Sequence, residues 1–146
     1  MLKRNALLMV LTLLSVSATA SAELVVEAGY VRASLPGSTT TSAYMALKNT
    51  GDAELVVTSA NSPAAGLISF HSTMNHDGMM HMMDMESLKI AAHQSLKLES
   101  GGTHLMLENM PAMLAVDSKV ELVFRFADGK KKSVSLPVQS VLADKH

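Results

Sequence analysis

Residues 119–138, KVELVFRFADGKKKSVSLPV, decide the fold. Asp128-Gly129 stands between Val123-Phe124-Arg125-Phe126 and Ser133-Val134-Ser135-Leu136, and an Asp-Gly pair between two such runs is the strongest short-range signal of a β-hairpin. Working outward, residues 23–146 repeat the theme as short apolar stretches, with no helical period sustained beyond two turns. Strands are expected at 23–32, 42–49, 55–60, 67–72, 88–91, 95–98, 104–107, 119–126 and 132–138. The punctuation between them is turn chemistry: Pro36-Gly37, Asn49-Thr50-Gly51-Asp52, Asn61-Ser62-Pro63 and Gly101-Gly102. The class is therefore all-β, a sandwich or a barrel. A short helix over 110–116, with Pro111 in its first turn, is compatible with the pattern. Lys130-Lys131-Lys132, beside the hairpin turn, reads as a solvated edge.

Composition bounds the chemistry. The chain has 146 residues, 48% of them hydrophobic and 17% charged, which suits one domain with a buried core and excludes a disordered chain. Lys and Arg number 12 against 13 Asp and Glu, and aromatics are 3%, so nucleic acid has neither a basic patch nor a stacking platform to bind. With no Cys there is no disulfide, thiolate metal site or thiol nucleophile, and no lipobox to acylate. Soft-metal chemistry must use Met sulfur.

The first segment reads as an export address. Lys3 and Arg4 precede an eleven-residue apolar run, Ala6 to Val16, and Ser-Ala-Thr-Ala-Ser-Ala follows as a signal-peptidase region. Residues 1–22 are read as a signal peptide cut after Ala22, because the apolar run is shorter than the roughly 20 residues that span a bilayer. Residues 23–146 are then one exported all-β domain with no membrane span.

Between His71 and Met85 lie Met74, Met79, Met80, Met82, Met83 and Met85 together with His71, His76 and His81, nine of fifteen residues. A packed β core prefers branched and aromatic side chains, and Asn75, Asp77 and Gly78 mark this run as a loop or hairpin. Exposed Met is open to oxidation, so its accumulation suggests that sulfur is wanted. Thioether and imidazole together select Cu(I), whereas calcium and magnesium take oxygen donors. Further on, in a strand over 104–107, His104 and Met106 project from one face and Leu105 and Leu107 from the other. His71 and Met82 on one side with His104 and Met106 on the other supply a four-coordinate N2S2 set suited to Cu(I).

These residues resemble the PCu(A)C periplasmic copper chaperones, whose pattern is His, ten residues, Met, twenty-one residues, then His-x-Met. Here His71, Met82, His104 and Met106 stand at that spacing. Tyr30-Val31-Arg32 with Pro36-Gly37, Ala43-Tyr44-Met45-Ala46-Leu47-Lys48-Asn49 and Gly101-Gly102 are similar in placement, so the likeness covers essentially all of 23–146. Tyr30 stands where the family commonly has Trp, and His81 where Arg commonly precedes the ligand Met. The resemblance implies a cupredoxin-like Greek-key β-sandwich that binds Cu(I) through His71, Met82, His104 and Met106. It also implies copper delivery in the periplasm towards the CuA site in subunit II of cytochrome c oxidase, alongside Sco-type proteins.

Four functions are weighed. A non-catalytic metallochaperone needs only exchangeable ligands. A periplasmic storage or tolerance protein would use the surplus Met and His to buffer Cu(I). A copper redox enzyme is disfavoured, because there is no Cys for a blue-copper centre and a four-ligand set leaves no open position. A metal-free adhesion or assembly module would tolerate a Ser-rich loop in place of 71–85. His76 and His81 are auxiliary ligands or loop residues, His93 is surface, and Met45, Met110 and Met113 are expected to pack in the core or at the site rim. Arg32 and Tyr44 either orient the site or serve structural hydrogen bonds.

Overall fold

Asp128 and Gly129 turn the chain as expected: Lys130 donates its N–H to Asp128 Oδ1 at 2.9 Å, and Gly129 donates to the carbonyl of Phe126 at 2.9 Å. A computed structural model describes residues 23–140, and the signal peptide read at 1–22 lies outside the described residues. Ten strands follow in order: β1 Leu24–Arg32, β2 Thr41–Asn49, β3 Leu55–Asn61, β4 Leu67–His76, β5 Met79–Met85, β6 Leu88–Ile90, β7 Ser95–Leu98, β8 Thr103–Glu108, β9 Lys119–Phe126 and β10 Lys131–Gln139. The ladder runs β5-β4-β8-β2-β1-β10-β9-β3-β6, with β7 also paired to β2. All registered pairs are antiparallel except β1 with β10, where Val31 meets Val138 in parallel.

That parallel pairing is the seam of a β-sandwich. One layer is β5-β4-β8-β2-β1, the other β10-β9-β3-β6, and inward residues of both make one core. Leu47 of β2, Leu105 and Leu107 of β8, Leu88 of β6, and Leu122 and Phe124 of β9 are fully buried. Each such side chain stabilises the fold by about 1.5–3 kcal/mol. Buried Asn49 ties the end of β2 to its surroundings. Its Nδ2 donates to the carbonyls of Ala53 at 2.7 Å and Ile90 at 3.1 Å, and its Oδ1 accepts from the Gly51 N–H at 3.0 Å.

A bulge in β1 sets which residues face outward. Leu24 and Val26 share the inward side with Leu47, but the register shifts between Glu27 and Tyr30, where Ala28 has φ 50°. The extra residue reverses the alternation, so Val31 enters the core opposite Ala43 and Tyr30 lies outside opposite Tyr44. Gly29 occupies the bulge because a Cβ there would stand 2.6 Å from Leu136 Cδ2 and 3.3 Å from Met45 Cβ.

Three expectations are corrected. The strand expected at 67–72 continues to His76, and 79–85, expected as loop or hairpin arm without an assigned strand, forms β5. The cause is Asp77-Gly78, with φ of 52° and 80°, a two-residue turn whose twist matches that of the flanking strands. No helix forms over 110–116. Met110 donates to the carbonyl of Thr39 at 3.0 Å and Leu114 to Ser34 Oγ at 2.9 Å, so the backbone is tied to the β1–β2 connection rather than to its own preceding turn. Met45 and Met110 are buried as expected, whereas Met113 is 59% exposed and is not part of the core.

Candidate metal centre

The outer face of the first layer carries the chemistry. In β4, Ile68 and Phe70 point into the core, which turns Ser69, His71 and Thr73 outward. In β8, Leu105 and Leu107 point in, which turns Met106 and Glu108 outward with His104, itself only 6% exposed. The register sets His71 directly opposite His104 and Ser69 opposite Met106. The two imidazoles stack, with centroids 5.8 Å apart and planes at 22°. Tyr44 closes the inner side of His104 at 6.4 Å between ring centroids, Tyr30 backs Tyr44 at 5.6 Å, and Arg32 Nη1 approaches the Tyr44 hydroxyl at 3.5 Å.

Hydrogen bonds assign the tautomers. Ser69 Oγ donates its single proton to Glu108 Oε2 at 2.8 Å, so at 2.7 Å it accepts from His71 Nε2–H. Neutral His71 then keeps a lone pair on Nδ1. That atom is buried without a hydrogen-bond partner; Asp84 Oδ1 lies 3.4 Å away, close enough to feel its charge but not aligned as a bond. His104 Nδ1 donates to the carbonyl of Gly102 at 3.0 Å, which leaves its Nε2 as the lone-pair nitrogen. Two imidazoles, His104 buried and His71 with its side chain 12% exposed, are each held by the protonated nitrogen and each keep the other nitrogen's lone pair, the arrangement a cation that binds neutral imidazole needs.

The hairpin register sorts the methionines. Asp84 is opposite His71, Met82 opposite Thr73 and Met80 opposite Asn75, so these share the face of the His pair. Met79, His81, Met83 and Met85 oppose His76, Met74, Ser72 and Phe70, on the other face. Met82 therefore stands diagonal to His71, two residue pairs nearer the hairpin tip, and is 54% exposed. Met106 flanks the His pair on the opposite side, where with Arg32, Leu35 and Ser42 it lines a cleft of about 210 Å³. His71, His104 and Met106 thus lie together on adjacent strands, and Met82 shares their face from the next strand. Among the described residues no group of three or more His, Asp or Glu side chains is placed to hold a metal ion by itself. Of the oxygen donors on the face of the two imidazoles, Glu108 is engaged by Ser69 and Asp84 lies beside His71; the remaining soft donors there are the thioethers of Met80, Met82 and Met106.

Ser69, Glu108 and Asp84 were not read as site residues. The first two were accessible to a period-of-two reading, since Ser69-x-His71 and His104-x-Met106-x-Glu108 each place them on the ligand side of a strand. Asp84 needed the hairpin register. His93 is at the surface as expected, with Nε2 2.7 Å from Asp52 Oδ1.

This architecture is that of PCuAC domains, a cupredoxin-like β-sandwich. It superposes on the copper-bound PCuAC domain from PmoF2 with a TM-score of 0.69 at 18% identity, covering 84% of this chain and 98% of that one. DR1885 from Deinococcus radiodurans, solved with Cu(I), aligns with a TM-score of 0.66 at 30% identity, covering 85% of this chain and 83% of that one. Residues 24–138 match the family described as "Putative lipoprotein LpqE-like", and the chain belongs to that LpqE-like family. "Putative lipoprotein Lxx21020" of Leifsonia xyli subsp. xyli (strain CTCB07) is 36% identical over 104 residues, 70% of this chain. The aligned part spans 63% of that relative's length. The 146 residues here include no Cys of the kind a lipoprotein acylates. No helix among the described residues is long and apolar enough to cross a membrane.

Proposed function

We propose that the protein is an exported copper metallochaperone that holds Cu(I) through His71, Met82, His104 and Met106 and passes it to an acceptor in the periplasm. The observation that carries this reading is the stacked His71–His104 pair, each ring with one nitrogen fixed by a hydrogen bond and the other left with its lone pair. Imidazole with thioether is a donor set for Cu(I), and the 30% identical relative solved with Cu(I) supports the same cargo. No step requires a bond-making residue, so the protein acts as a carrier and not as an enzyme. The acceptor proposed is the CuA domain of cytochrome c oxidase subunit II, with a Sco-type protein as a second partner.

Anaerobic competition against a chromophoric Cu(I) chelator tests the site. Wild-type chain is expected to bind tightly, and His104→Ala and Met106→Ala to lose at least tenfold in affinity; wild-type affinity in both variants overturns the assignment. The surplus of exposed Met on the hairpin favours storage as the second reading. Mixing the Cu(I)-loaded chain with an apo CuA domain separates the two: a chaperone transfers its ion, and a buffer retains it.

A further inference from the structure

The hairpin has a second face that the site above does not use. Along β4 the inward line Ile68, Phe70 continues as Ser72, Met74 and His76, past the edge of the core. Its cross-strand partners change in step. Phe70 meets half-buried Met85, but Met74 meets His81 and His76 meets Met79, all four of them exposed. An exposed hairpin tip gains nothing in packing from Met and ordinarily carries polar residues. Here Met74 is 53% and Met79 64% exposed.

We propose that Met74, His76, Met79 and His81 form a second Cu(I) site, on the face of the β4–β5 hairpin opposite the His71–His104 pair. The register makes these four a quadrilateral, with the two imidazoles on one diagonal and the two thioethers on the other. Directly opposed Cβ atoms are about 5 Å apart and diagonal neighbours about 7–8 Å, within reach of side chains as long as Met and His. The donor set is again two nitrogens and two sulfurs, which selects Cu(I) over harder ions. The Asp77-Gly78 turn locks the register, and one slipped residue would scatter the four over both faces. Thr73 N–H, bonded to the carbonyl of Gly102 at 3.2 Å, ties the base of the hairpin to the start of β8. The quartet itself is open to solvent, so it exchanges its ion faster than the site built around buried His104.

The test is an anaerobic titration of the chain with Cu(I) alone, following chelator competition and the imidazole NMR resonances of His76 and His81. Wild type is expected to take two equivalents, the weaker one shifting those two resonances. A Met74→Leu, His76→Gln, Met79→Leu, His81→Gln variant is expected to take one equivalent and to keep the tighter affinity. A His104→Ala, Met106→Ala variant is expected to lose the tighter equivalent and keep the weaker one, and loss of both equivalents overturns the quartet as a site of its own. A single equivalent in wild type, or two in the fourfold variant, overturns the quartet. So does a second equivalent that appears only with dimers in light scattering, since the ion would then bridge copies. All four substitutions are at exposed positions, and an unchanged far-ultraviolet circular dichroism spectrum verifies the fold.

Discussion

His71 and His104 face each other across β4 and β8 with rings stacked at 5.8 Å, yet they present different nitrogens: Nδ1 is the free one on His71 and Nε2 on His104. The difference is imposed from outside the pair. A serine-glutamate relay holds one ring, and a backbone carbonyl holds the other.

Ser69 therefore acts through His71. Ser69→Ala removes the acceptor of His71 Nε2–H and leaves the ring free to turn or change tautomer. Losing such a supporting hydrogen bond costs about 10–100-fold in metal affinity. Chelator competition should show that loss, with a melting temperature close to wild type because Ser69 is only half-buried. Unchanged affinity would show that the relay does not orient the ligand.

The hairpin register makes a second expectation specific to single methionines. Met82 and Met80 share the His71 face, while Met83 and Met79 do not. Met82→Leu is expected to weaken Cu(I) binding at the His71–His104 site by tenfold or more. Met83→Leu should leave it within twofold, although the two residues are adjacent and equally exposed. Paired titrations of these variants check it, and equal losses would mean that the hairpin does not hold its register in solution.

How much of this was legible in the chain differs by element, for physical reasons. The β9–β10 hairpin could be read because a turn dipeptide coincides with runs suited to strands. His104 and Met106 could be read as one face because Leu105 and Leu107 contrast with them. In 71–85 that contrast is missing, since Met and His occupy both faces. Periodicity is silent there, and only the turn at Asp77-Gly78 reveals the second arm. The β1 bulge had one signal, Gly29 inside a strand run, but a lone glycine fits a close backbone approach as well as an extra residue, so the reversal that moves Tyr30 to the outer face was not legible. The unformed helix at 110–116 shows tertiary hydrogen bonds to Ser34 and Thr39 prevailing over local preference.

Asn49 offers a stability test away from the metal. It is fully buried and satisfies carbonyls of Ala53 and Ile90 and the N–H of Gly51. Asn49→Ala strands these groups, and each unsatisfied buried group costs about 1–3 kcal/mol. Denaturant unfolding should show a loss of about 2 kcal/mol or more. A loss below about 0.5 kcal/mol would mean that water replaces the side chain.

Exposure also sets the expected order of events when the ion leaves. His104 is 6% exposed and Met82 54%, on the hairpin at the rim of the face. If the proposed four residues hold Cu(I), an acceptor ligand approaching from solvent would meet Met82 first and displace that thioether, and His71, His104 and Met106 would hold the ion until a second acceptor ligand arrived. Met82 then governs exchange more than it governs folding. Met82→Leu should raise the rate of Cu(I) transfer to an apo CuA domain severalfold in stopped-flow mixing, with unfolding stability within about 0.5 kcal/mol of wild type, as for other surface substitutions. His104→Ala should lower both affinity and stability, since it empties a buried position and removes one of the two donors, with Thr73 N–H, to the Gly102 carbonyl. A Met82→Leu variant that transfers copper more slowly than wild type would reverse this order and place the first displacement at Met106, beside the cleft it shares with Arg32 and Leu35.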